Sequence, residues 1–123
     1  STLLAVALGG SLGAVGRFLV GIYVVKYFPH TIPLATLTVN IVGSFSIGVL
    51  IALFLSFTPS DITRAFLITG VLGGFTTYSA FAIESFVLLE NNIWYGVLNI
   101  VLNIVGAIGA AAIGYKMVSY MIK

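Results

Sequence analysis

The stretch VLGGFTTYSAF, Val71 to Phe81, decides how this chain is read. It lies inside an apolar segment running roughly from Ile62 to Leu89, long enough to cross a bilayer at the ~20 residues a spanning helix needs. Gly73 and Gly74 weaken a helix at that point, because glycine costs about 1 kcal/mol against alanine in a helix interior. Thr76 and Thr77 follow with hydroxyls that can satisfy the backbone groups a weakened helix releases. The stretch therefore predicts a span broken at its middle. A break within hydrocarbon is tolerated only where protein or a water-filled cavity covers it. The carbonyls it frees suit a small hard cation such as sodium. The competing reading is a plain glycine kink packed against Gly9 or Gly106.

The surrounding sequence is equally apolar. Of 123 residues, 60% are hydrophobic and 7% are charged, against about 25% charged in a soluble domain. This composition predicts an all-α integral membrane protein forming a single unit, 1–123. Four spans are expected, roughly at 3–25, 33–57, 62–89 and 93–121. Pro33 suits a first helical turn, and Trp94, Tyr95, Tyr115 and Tyr120 suit interfacial belts. Short loops leave no soluble domain for an enzyme. The absence of cysteine excludes disulfides and thiol chemistry. His30, the sole histidine, is read as a loop residue beside Pro29 and close to Pro33. A net charge of +2 forms no basic patch for nucleic acid. The first span has no basic segment before it and is expected to stay as a helix.

Charge specifies orientation weakly. Arg64, Lys116 and Lys123 fall on one side, Lys26 on the other, and Arg17 within a span. Such a bias is compatible with one orientation. It is equally compatible with insertion both ways and an antiparallel homodimer, an inverted repeat without gene fusion. Gly9 and Gly13, Gly70 and Gly74, and Gly106, Ala110 and Gly114 are spaced by four, which predicts close helix packing.

Polar side chains in the spans need partners or water. Thr36, Asn40 and Ser44 recur every four residues, as do Asn99 and Asn103, so each set shares a helix face. A polar track and interhelical hydrogen bonding both account for them. After the predicted break, Tyr78 and Phe81 share a face, with Glu84 and Ser85 on the same side. Ring edges are positive and can meet a dehydrated anion, or the rings simply pack. Arg17 and Glu84 are the most deeply placed charges. They either pair or sit at water-filled vestibules, and we favour vestibules.

These residues match a known pattern. The chain resembles, over essentially its whole length, the small bacterial fluoride channels of the Fluc or CrcB family. GGSLGAVGR, ending at Arg17, resembles the family's first-span glycine motif. TLTVNIVGS resembles the stretch carrying the pore asparagine, here Asn40. GGFTTYSAFAIE, which includes Ser79, resembles the family's GG-x-TTFSTF-x-x-E segment. The resemblance implies an antiparallel, dual-topology dimer with two pores, passing fluoride passively out of the cytoplasm across the bacterial inner membrane. It implies a central sodium ion held by the carbonyls of Gly73 and Thr76 from each subunit. It implies a fluoride path past Phe81, Tyr78, Asn40, Thr36 and Ser79, with Asn99 and Asn103 on the fourth-span track. The chain departs from the pattern at Tyr78, where the family has phenylalanine, at Ala80 for threonine, and at Ala107, where serine is frequent. These departures also allow pairing with a different homologue.

The runner-up expectation is a small dual-topology multidrug exporter that exchanges protons for cations. It needs a membrane carboxylate, and the first span carries Arg17 and no acid. A non-transporting assembly protein is the third reading, and it leaves the break and the ring pair unexplained. No nucleotide-binding motif accompanies the spans, which argues against a pump.

Overall fold

A computed structural model describes residues 1–122. Helix α1 covers Thr2–Tyr27 and α2 covers Leu34–Ser56. The third span, Asp61–Asn91, is composite. It contains α3 (Asp61–Arg64), a π-helical stretch (Ala65–Leu72), α4 (Gly73–Phe75) and α5 (Ser79–Asn91). Helix α6 covers Ile93–Met121. Four helices are thus long and apolar enough to cross a membrane, and no strand occurs among the described residues.

Local chemistry sets the helix ends. The Ser1 hydroxyl accepts from the Leu4 N–H at 3.2 Å, and the Ser60 hydroxyl accepts from the Thr63 N–H at 3.2 Å. Each satisfies a donor that the first turn leaves open. Asn92 alone separates α5 from α6, with extended backbone at φ −156° and ψ 105°. Its side chain accepts from the Trp94 N–H. Pro33 stands one residue before α2 instead of inside its first turn.

In lipid, helices associate through close van der Waals packing, which small residues permit. Helix α2 packs chiefly on α6, and α1 on the π-helical stretch. A Cβ at Gly48 would collide with the Ala111 carbonyl. One at Gly13 would collide with the Val71 carbonyl, so these backbones touch. Gly74 packs on Gly10 and Ala14 of α1, while Gly106 faces only the Ile41 side chain. Gly70 and Gly74 of the third span therefore pack against α1, Gly70 on Gly9 itself, whereas Gly73 meets only the Ile68 carbonyl and none of them meets Gly106.

The π-helical turns are a feature that the hydrophobic pattern does not announce. The Gly73 N–H reaches back to the Ile68 carbonyl, five residues earlier. Such turns are rare and concentrate at functional sites. Immediately afterwards the helix stops. Thr76 takes extended backbone, φ −83° and ψ 160°, and α5 starts only at Ser79.

Candidate functional site: a groove at the helix interruption

Backbone groups freed inside an apolar protein must find partners, so their destinations define the site. The Thr76 N–H and hydroxyl both donate to the Leu72 carbonyl, at 3.0 and 2.9 Å. Arg17 Nε donates to the Gly74 carbonyl at 3.1 Å, placing a cation at the negative end of a helix. Asn40 grips Thr77 from both sides. Its Oδ1 accepts from the Thr77 N–H at 2.9 Å, and its Nδ2 donates to the Thr77 carbonyl at 3.0 Å. The Thr77 hydroxyl accepts from the Ala80 N–H at 3.2 Å and so caps α5. The carbonyls of Gly73 and Thr76 accept no hydrogen bond from the described residues.

A groove of about 470 Å³ opens beside this interruption. Asn40 and Ser44 of α2 and Asn103 and Ala107 of α6 line it, the two asparagines hydrogen-bonded to each other. Gly73, Thr76 and Thr77 also line it, as do Tyr78 and Phe81. The two rings stack, with centroids 5.6 Å apart and planes inclined by 23°. Tyr78 is 73% exposed, and its hydroxyl makes no hydrogen bond among the described residues. The Ser44 hydroxyl is equally free of partners there.

A second cavity of about 600 Å³ is lined by Arg17, Lys26, Thr36, Ala80 and Thr77. Thr77 therefore borders both spaces. Arg17 and Glu84 form no ion pair. Glu84 lines a shallower pocket with Thr31 and Pro33, and its Oε1 is buried without a hydrogen-bond partner among the described residues.

The expected site residues thus divide. Asn40, Asn103, Tyr78, Phe81, Gly73 and Thr76 come together in the groove. Thr36 is buried and belongs to the cationic cavity. Asn99 is fully buried, donating to the Ser85 hydroxyl at 2.9 Å. Ser79 is exposed and lines neither space. Tyr78 and Phe81 lie on the groove, whereas Glu84 and Ser85 diverge from it, one to the shallow pocket and one to Asn99. Thr77 was expected to satisfy a freed backbone group, as its hydroxyl does for Ala80, but it was not placed among the site residues, because its grip by Asn40 is a contact 37 positions away.

No cluster of three or more histidine, cysteine or acidic residues occurs among the described residues. A cation here would have to be held by carbonyl oxygens, which suit hard ions. The two unpartnered carbonyls of Gly73 and Thr76 fit that requirement.

Residues 4–115 match the profile of the family described as CrcB-like protein, Camphor Resistance (CrcB). The chain belongs to the CrcB family. A relative from Sulfurimonas denitrificans is 44% identical over 99% of this chain and 96% of its own length. One from Legionella pneumophila strain Paris is 43% identical over 97% of this chain and 90% of its own. One from Rhodospirillum centenum is 43% identical over 98% and 85%. Each of these CrcB relatives is named fluoride-specific ion channel FluC.

Proposed function

We propose that this CrcB-family chain is a subunit of a passive, fluoride-selective channel, not an enzyme, in the bacterial cytoplasmic membrane. The observation that carries the reading is Thr77, which borders a cationic cavity on one side and the groove on the other. A cationic mouth concentrates anions. Beyond it, fluoride needs donors to replace its tightly held water. The Ser44, Thr77 and Tyr78 hydroxyls and the Phe81 ring edge offer these without a fixed cationic side chain that would trap the ion. Conduction requires binding that is favourable but releasable. Passive movement down the fluoride gradient would relieve the cytoplasm of accumulated fluoride.

The functional unit is an antiparallel homodimer with two pores. Gly73, Tyr78 and Ser79 are exposed at the interruption of a single chain, and irregular backbone does not face lipid. A second, inverted copy covers it. Sodium would be held by the Gly73 and Thr76 carbonyls of both copies and would supply a fixed positive field.

Reconstitution into liposomes loaded with potassium fluoride, opened with valinomycin, tests this reading. Rapid fluoride loss with little chloride loss is expected. Proton-coupled cation export without a fluoride leak would replace it with the exporter. Absence of any transport by the lone chain, with transport restored by a co-expressed homologue, would replace the homodimer with a mixed pair.

A further inference from the structure

Three asparagines meet near the groove, and their hydrogen bonds run in one direction. Thr77 fixes the sense. Its N–H can only meet an oxygen and its carbonyl only a donor, so the Asn40 amide has one permitted orientation. The second N–H of Asn40 then donates to Asn103 Oδ1 at 3.1 Å. With that oxygen engaged, Asn103 Nδ2 faces Asn99, donating to its carbonyl at 3.0 Å and its Oδ1 at 3.2 Å. Asn99 Nδ2 ends the chain on the Ser85 hydroxyl. Asn99 and Asn103 are 0% and 4% exposed.

An amide nitrogen has two donors. Both Asn40 donors are used, on Thr77 and Asn103. Asn103 Nδ2 lies within hydrogen-bond distance of two Asn99 oxygens. Asn40 thus has no N–H left for an ion, and Asn103 turns its nitrogen to Asn99, although both residues line the groove. The Ser44 and Tyr78 hydroxyls make no bond among the described residues. The Thr77 hydroxyl accepts from Ala80 and keeps its own proton to donate.

We propose that Ser85, Asn99, Asn103 and Asn40 are positioning residues that hold Thr77 in the interruption, leaving the hydroxyls of Ser44, Thr77 and Tyr78 as the donors that meet the anion. The chain ties α6 and α5 to α2 and delivers that constraint to one peptide unit. This deepens the fluoride-channel reading and rests on it for its transport arm.

The test uses the full chain in lipid bilayers with nitrogen-15 labelling. Asn103→Ala leaves Asn40 tethered on one side only. The Thr77 backbone amide should then exchange with deuterium about five- to tenfold faster, the equilibrium equivalent of one net hydrogen bond. Asn99→Ala should act in the same direction and less. Amides of α2 should not change, which separates the effect from general loosening. In the wild type, sodium fluoride should leave the Asn40 and Asn103 side-chain amide signals unmoved, and Ser44→Ala should lower fluoride efflux several-fold. Saturable fluoride shifts of the Asn40 side-chain amide would overturn the proposal, as would unchanged Thr77 exchange in both asparagine variants. If the wild type passes no fluoride, alone or with a co-expressed homologue, the channel reading fails, and the Thr77 exchange decides the positioning chain by itself.

Discussion

Tyr78 is one of the residues at which the sequence is expected to depart from the pattern it resembles. Its hydroxyl is unbonded and its ring stacks on Phe81. An extra donor beside the path should hold fluoride longer. Tyr78→Phe is therefore expected to raise fluoride flux with little change in stability, within ~0.5 kcal/mol for an exposed position. Equal flux in the two proteins, measured by efflux at matched protein content, would place the hydroxyl off the path. Phe81→Ile should abolish flux while the proposed dimer elutes as the wild type does on size-exclusion chromatography, because an aliphatic side chain has no positive edge. Arg17 acts through the Gly74 carbonyl. Arg17→Lys should not restore what Arg17→Ala loses, since the planar fork and its Nε donor are absent from lysine. Efflux rates of the two variants compared with wild type check this.

At the scale of elements, contacts between backbones dominate. Gly48→Ala should cost about 1–3 kcal/mol through overpacking, because the new methyl meets the Ala111 carbonyl. Gly21 has nothing within 4 Å of its would-be Cβ, so Gly21→Ala should be neutral. Thermal unfolding in detergent separates the two. The four spans were legible because hydropathy alone identifies them, and Gly-Gly-Thr-Thr marked the third as weak. The stripe Thr36, Asn40, Ser44 was legible as a face but not as a site. Four residues climb about 6 Å along a helix, so its ends lie about 12 Å apart, and Thr36 falls in a different cavity from Ser44. The π-helical turns, which pack against α1, were not legible because the hydrophobic pattern does not distinguish them from α-helix. The sense of the asparagine chain was hidden for a different reason: it is dictated by the Thr77 peptide, distant in sequence from Asn40.

Across the whole molecule, Asn40, Ser44, Thr76, Thr77 and Asn103 gather at one interruption, and much of the remaining surface is apolar. Leu3, Phe18, Trp94, Ile108 and Tyr120 are among the many large apolar side chains left exposed, as expected of a chain that meets lipid. The structure also orders the charges. Arg64 lies over Phe54 near the end of α2, and the start of α3 adjoins the start of α1, while Lys26 stands at the opposite end of α1. The small excess is compatible with one orientation and with both; labelling a single cysteine introduced into a loop, from each side of the membrane, would give modification from both sides if the chain inserts both ways. The central claim, that the groove passes fluoride passively and selectively, is tested most directly by a reversal potential. The purified protein is placed in a planar bilayer with sodium fluoride on one side and sodium chloride on the other. The account predicts a current that reverses near the fluoride equilibrium potential. A current reversing near zero or following chloride, or no current at all, would contradict it.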